Sequence, residues 1–282
     1  MLHNILQNKT LIMLFQKTST RTRLSFSSAM HQLGWQVIDM DYKQSNFSLT
    51  EFSYEIQATM KLGDMLMFRA QHAYDVLKAA SYNSIPVIDW CSEKYHPCQA
   101  LGDIFTMMEE VWWLKNLTHI TRLWIENNVC NSLKILCVKL SIDLYLLCPE
   151  QNQASIDHAL DTACDNSWYI HRTLDLEQWL KNAQFIHTDT WMDMEFFADW
   201  KVLEQYKNQY TDRVKKFTPY QISQTLVESH APYAKIMHCL PAHIGYEITK
   251  DAIDHPNSIV FTQTENRLHI QKAILVWLFQ NK

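Results

Sequence analysis

From Leu11 to the end of the chain, short apolar runs alternate with segments of helical periodicity, and this rhythm restricts the possible folds more than any other feature. In the first half the apolar runs are Leu11–Phe15, Val37–Met40, Met65–Arg69 and Ile85–Ile88. Helical patterns near Thr20–Leu33, Leu49–Lys61, Tyr74–Ala80 and Pro97–Trp113 separate them. A second series follows Lys115-Asn116, with expected strands Thr121–Ile125, Leu144–Cys148, Trp168–His171, Phe185–His187, Lys235–Met237 and Ser258–Phe261. Its expected helices are Val129–Leu140, Ala154–Cys164, Leu176–Lys181 and Pro219–Ser229, and a last one runs from about Arg267 to Phe279. Runs of four or five apolar residues between polar ones suit strands covered on both faces. Their alternation with helices predicts βαβ units and an α/β fold of two doubly wound parallel-sheet domains, residues 1–115 and 116–282.

A chain of 282 residues is long enough for two such domains. Apolar residues make up 47% and charged residues 20%, a globular composition. Net charge is −5 and no long basic run occurs, which argues against nucleic acid as a partner. No apolar span of about eighteen residues is present, and Met1–Asn8 lacks the pattern of a signal peptide; the expectation is a cytoplasmic protein with no membrane partner. Seven scattered cysteines without a C-x-x-C pair read as buried apolar side chains rather than a disulfide framework. With only four glycines in the chain, tight turns must be built from other residues.

Chemistry is most legible between Thr10 and Gly34. The strand Leu11–Phe15 leads through Gln16-Lys17-Thr18 into a helix whose apolar residues Phe26, Ala29, Met30 and Leu33 share a face. Ser19-Thr20-Arg21-Thr22-Arg23 therefore falls at a helix start, where free N–H groups and the positive dipole end disfavour two arginines unless an anion sits there. Hydroxyls, backbone donors and guanidinium groups together suit a phosphate; a capped surface helix with incidental arginines is the plainer alternative. Other polar groups also follow strands, where ligands of such sheets bind: Arg69, His96 with Gln99 at a helix start, Asp189, and His238-Cys239-Leu240-Pro241. Arg267 opens the expected last helix. His96, Cys98, His238 and Cys239 fit no standard zinc spacing, so no metal is expected, and the dinucleotide and Walker fingerprints are absent, so no cofactor is expected either. A nucleophilic Cys98 or Cys239 lacks an ordered triad, and burial is the simpler reading of both.

These motifs occur together, and in this order, in one family. Phe15, Lys17 and Ser19-Thr20-Arg21-Thr22-Arg23, then His96-Pro97 with Gln99, Asn127-Asn128, Asp189 with Trp191, His238-Cys239-Leu240-Pro241 and Glu265-Asn266-Arg267 resemble ornithine carbamoyltransferases from Asn8 to the C-terminus. Aspartate carbamoyltransferases share the phosphate motif, but His-Cys-Leu-Pro and Asp-x-Trp look like the ornithine branch. The resemblance implies a homotrimer with active sites at subunit interfaces and a role in arginine biosynthesis. It also implies a carbamoyl phosphate domain (1–115), an ornithine domain (116–282) and a last helix, about 267–280, that returns to the first domain. By position it implies that Ser19, Thr20, Arg21, Thr22, Arg69, His96, Gln99, Cys239, Leu240 and Arg267 bind carbamoyl phosphate. Arg21, His96, Cys239 and Arg267 would be catalytic, and Asn128, Asp189, Asp193 and Met194 would bind ornithine.

The chain departs from the family in three places. A helix usually precedes the phosphate-site strand, whereas here Met1 stands almost at that strand. The family's Gly-Asp-Gly-Asn-Asn reads Ile125-Glu126-Asn127-Asn128, which is expected to shift Asn128 through the loss of two glycines. Its Ser-Met-Gly reads Asp193-Met194-Glu195, whose added carboxylates are either solvated or select another amine, such as putrescine or an N-acylated ornithine. A non-catalytic trimeric anion-binding relative is the third reading. The loop around Tyr42–Ser48 is expected to reach a neighbouring subunit.

Overall fold

The computed structural model describes residues 7–191, 197–198 and 201–281. The chain folds into two units: Met1–Phe105 with Asn131–Leu133 and Glu265–Lys282, and Thr106–Cys130 with Lys134–Thr264.

In the first unit, β1 (Thr10–Phe15), β2 (Gln36–Asp41), β3 (Met65–Arg69) and β4 (Val87–Asp89) form a parallel sheet in the order β2-β1-β3-β4. β1 alternates between two apolar layers. Leu11, Met13 and Phe15 pack with Phe26, Ala29 and Met30 of α1 (Thr20–Gln32). Ile12 and Leu14 pack with Ile56 and Met60 of α2 (Phe52–Met60) and with Val76 and Ala79 of α3 (Ala73–Ser81). Period-two alternation on a strand buried on both sides produces this sandwich of helices. Gly34 follows α1 with φ 83°, a left-handed conformation that ends the helix at little steric cost. Residues 42–48 form two short 3-10 turns whose Phe47 is buried and stacked on Tyr42 at 5.0 Å. α4 (Pro97–Glu110) follows β4 and stops before Trp112, which has φ 69°, short of the Trp113 end that the sequence pattern predicts.

In the second unit, β5 (His119–Glu126), β6 (Asp143–Gln151), β7 (Ile170–Arg172), β8 (Phe185–Thr188) and, later in the chain, β11 (Lys235–His238) form a parallel sheet ordered β11-β8-β5-β6-β7. α5 (Asn128–Leu140), α6 (His158–Asp165) and α7 (Leu176–Leu180) connect its first strands. Next come a two-residue antiparallel pair, β9 (Phe197–Ala198) and β10 (Lys201–Val202), then α8 (Lys207–Phe217), α9 (Gln224–His230), β11 (Lys235–His238) and α10 (Lys250–Ile253). Leu123, Trp124, Leu147, Ile186 and Ile236 share a core with Phe217 of α8 and Val227 of α9.

The last helix, α11, runs from Val260 to Gln280, so the expected strand Ser258–Phe261 does not form. Only Ser258 makes a bridge, to Ile236, before the helix begins. Arg267 consequently lies two turns inside α11 rather than at its start. Leu275 of α11 is part of the same core as Leu11, Met13 and Phe15, and Phe279 meets Trp35 edge-on at 5.4 Å. No described helix is long and apolar enough to cross a membrane.

Candidate active site

In an open parallel sheet, ligands bind beyond the carboxyl ends of strands where the winding order reverses. For the first sheet that point lies between β1 and β3, whose ends meet in the register Phe15 to Arg69. Ser19 is the N-cap of α1 in extended conformation and its side chain makes no capping bond. Thr20 is exposed, Arg21 is half-buried and Thr22 is fully buried. The Thr22 Oγ1 accepts hydrogen bonds from the Ser19 hydroxyl and, at 2.6 Å, from Trp90 Nε1. Arg267 Nη2 lies 3.4 Å from the same oxygen, and Arg267 Nη1 donates to Gln99 Oε1 at 2.8 Å. Gln99 Nε2 donates in turn to Asp103 Oδ1 at 2.8 Å, which fixes the orientation of the amide.

Trp90 is the centre of this cluster. The Arg267 guanidinium lies 5.2 Å from its ring centre, and His96 and Phe26 meet the ring edge-on at 5.3 Å and 4.7 Å. The His96 backbone N–H donates to Ser132 Oγ at 2.8 Å. Arg69 ends β3 with its Nε buried and without a hydrogen-bond acceptor. The first unit thus brings Thr22, His96, Gln99 and Arg267 together. Arg23, the second arginine of the first turn, needs no ligand anion: it pairs with Asp39 on β2 and lies 4.0 Å from the Phe15 ring centre. Cys98 is buried, and desolvation with the neighbouring Asp89 carboxylate pushes its thiol far above the usual range, so it is no nucleophile.

In the second sheet the winding reverses between β5 and β8, and their ends carry Asn127 and Asp189. Asn127 is the N-cap of α5; its Oδ1 accepts from Cys130 N at 3.1 Å and from Arg122 Nη2 at 2.9 Å. Its Nδ2 donates to Asp189 Oδ2 at 2.8 Å. Asp189 Oδ1 accepts from the Cys239 thiol at 2.8 Å and from Thr190 N at 2.8 Å. Burial works to raise the Asp189 pKa, but the Arg122 guanidinium and the hydrogen bonds from Cys239 and Asn127 outweigh it and hold the carboxyl below its ordinary value. Leu240 precedes Pro241 through a cis peptide, and its N–H donates to His238 Nδ1 at 2.8 Å. Asn128 opens α5 with its Oδ1 accepting from Val129 N at 2.9 Å. Trp124, directly before the Ile125-Glu126-Asn127-Asn128 segment, has a left-handed φ of 102° beside a bulge in the β5–β6 pairing. Asp193 and Met194 lie outside the described residues.

Family models match both halves of the chain: the carbamoyl-P binding domain of aspartate/ornithine carbamoyltransferase over residues 1–109, and its Asp/Orn binding domain over residues 118–278. The chain belongs to the aspartate/ornithine carbamoyltransferase family. The ornithine carbamoyltransferase of Methanobrevibacter smithii is 36% identical over 274 residues, covering 96% of this chain and 87% of that protein. The anabolic ornithine carbamoyltransferase of Pyrococcus furiosus is 36% identical over 97% of this chain and 84% of its own length. Among solved structures, the Pyrococcus furiosus enzyme superposes with a TM-score of 0.81 at 34% identity, over 97% of this chain and 85% of that one. The anabolic enzyme of Campylobacter jejuni gives 0.84 at 29% identity, over 99% and 90%.

Sequence reasoning missed Trp90, Arg122 and Asn127 as members of these clusters. Trp90 directly follows a strand end, the kind of position that also holds Arg69 and Asp189. Arg122 interrupts the apolar run of β5, and a charge in the middle of a buried strand is itself a signal that it must be paired.

Proposed function

We propose that the chain is an ornithine carbamoyltransferase of arginine biosynthesis, moving the carbamoyl group of carbamoyl phosphate to the side-chain amine of L-ornithine to give L-citrulline and phosphate. The observation that carries this reading is the convergence, within the first unit, of Thr22, His96, Gln99 and Arg267 on Trp90. These are family motif residues from distant stretches of the chain, and their meeting in one cluster supports the catalytic reading.

In this reading residues 1–115 bind carbamoyl phosphate and residues 116–282 bind ornithine. Ser19, Thr20, Arg21 and Thr22 hold the phosphate at the amino end of α1, where peptide N–H groups and the dipole favour a dianion, and Arg69 adds a second cation. Gln99 Oε1 is an acceptor and suits the carbamoyl NH2, while Arg267 and His96 stabilise the charge that grows on the carbonyl oxygen as the amine attacks. By family position Cys239 and Leu240 also belong to the carbamoyl phosphate set. Asn128, Asp189, Asp193 and Met194 hold the amino acid. Ornithine reacts as the neutral amine, and the departing phosphate or a side chain takes its proton. The protein works in the cytoplasm as a homotrimer with interfacial sites, for which the exposed Leu49, Tyr54, Tyr74 and Leu77 are available apolar contacts.

Calorimetric titration tests the assignment. Arg21→Ala should lose carbamoyl phosphate binding by at least about a hundredfold, the scale of a charge-assisted contact to a dianion, with its melting temperature unchanged. Asp189→Asn should keep carbamoyl phosphate binding and raise the ornithine KM. Unaltered carbamoyl phosphate affinity in Arg21→Ala contradicts the phosphate site, and an unchanged ornithine response in Asp189→Asn contradicts the amine site.

A further inference from the structure

The Arg122 guanidinium is fully buried in the middle of β5. A buried cation is costly unless its donors are used and its charge is matched. Nη1 lies 2.6 Å from His187 Nδ1, and Nη2 donates to Asn127 Oδ1 at 2.9 Å. Because both Arg122 and the Cys130 N–H donate to Oδ1, the Asn127 amide has one permitted orientation, with Nδ2 facing Asp189 Oδ2 at 2.8 Å. The other Asp189 oxygen is held by the Cys239 thiol and Thr190 N. Both oxygens of the carboxylate are therefore fixed by the protein, and the buried Arg122 guanidinium balances its charge through a single amide.

From this relay we propose that Arg122 is a positioning residue that sets both the orientation and the net charge of the Asp189 subsite, so that it selects a zwitterionic α-amino acid over a simple diamine. The proposal rests on the ornithine reading given above. With Asp189 and Arg122 buried together, the pair is neutral. An α-amino acid brings its own carboxylate beside its ammonium and adds no net charge at that end. A diamine brings an ammonium alone, whose charge the pair does not fully offset. Removing the guanidinium leaves Asp189 an uncompensated anion, which favours the bare ammonium and disfavours the α-carboxylate.

Full-length Arg122→Gln, Arg122→Lys and Asn127→Ala would be assayed for carbamoyl transfer to L-ornithine and to 1,4-diaminobutane, with carbamoyl phosphate KM measured alongside. In Arg122→Gln the ornithine KM should rise about tenfold, the scale of one charge-assisted hydrogen bond. The ratio of kcat/KM for ornithine over the diamine should fall by a similar factor, and carbamoyl phosphate KM should stay within about twofold. Arg122→Lys keeps the charge without the fork and should restore the ratio but not the KM. Asn127→Ala breaks the relay with the charge in place and should raise the ornithine KM with the ratio unmoved; it serves also where Arg122→Gln does not fold. An ornithine KM and substrate ratio unchanged in folded Arg122→Gln, or in Asn127→Ala an unmoved KM, overturn the proposal. Wild-type protein that makes no citrulline removes the ornithine reading itself, whereas wild-type turnover with unaltered variants removes this inference alone.

Discussion

Asp89 shows how a single side chain near the first cluster carries a cost that pH can remove. It ends β4, directly before Trp90, and its carboxylate accepts from Ser92 N at 3.1 Å and from Ser92 Oγ at 3.0 Å. Desolvation nevertheless dominates those hydrogen bonds, with Glu93 adding repulsion, and its pKa is raised from 3.8 to about 6. Between those two values the folded chain binds more protons at this site than the unfolded chain, so stability falls as pH rises through that window and stays lower above it. Asp89→Asn never ionises. Its melting temperature should exceed that of the wild type at neutral pH, and the difference should shrink to nothing near pH 4. A difference that is constant with pH would show that Asp89 is not the titrating group. At this same scale the sequence is informative about identity and silent about use. Thr22 is recognisable as a candidate site residue, yet its burial under Trp90 depends on contacts between residues 68 positions apart. Arg21 and Arg23 look equivalent in the sequence, and only the pairing of β1 with β2 assigns Arg23 to Asp39.

Among the elements, the turn from β5 into α5 replaces glycine flexibility with packing and charge. Trp124 holds a left-handed φ of 102°, a conformation that costs a large residue about 1–3 kcal/mol. Its ring stacks on Trp191 at 6.0 Å and packs against Phe217, which secures the backbone in that state. Two residues on, Glu126 accepts from Lys134 Nζ at 3.1 Å and from Arg172 Nε at 2.9 Å, and Lys134 also reaches Asp161 Oδ1 at 2.8 Å. β5, α5, α6 and β7 are tied together by this group, and Lys134 is fully buried within it. Truncating it leaves Glu126 buried with one fewer cation. Lys134→Ala should therefore lose about 3 kcal/mol in chemical denaturation. A loss below about 1 kcal/mol would show the cluster to be solvated. The strands of both sheets are legible because an apolar run between polar flanks leaves few alternatives. α8 is not, because its sequence KNQYTDRVKKF is mostly polar and buries little beyond Phe217. Ser258–Phe261 looks like a strand because four residues cannot distinguish a strand from the first turn of a helix.

At the scale of the whole molecule, each of the two parallel sheets carries its own cluster of candidate site residues beyond its strand ends. One collects Thr22, His96, Gln99 and Arg267; the other collects Asn127, Asp189 and Cys239. This organisation is legible from the order of strands, helices and strand-end polar residues alone. The internal charge balance is not, since Arg122 and Asp189 come together only through sheet pairing. The measurement that tests the central claim most directly is the initial rate of citrulline formation by the purified chain supplied with carbamoyl phosphate and L-ornithine. Saturable citrulline production in both substrates, abolished in Arg267→Ala, is the predicted result. Carbamoyl phosphate binding without any citrulline from the wild-type chain would contradict it.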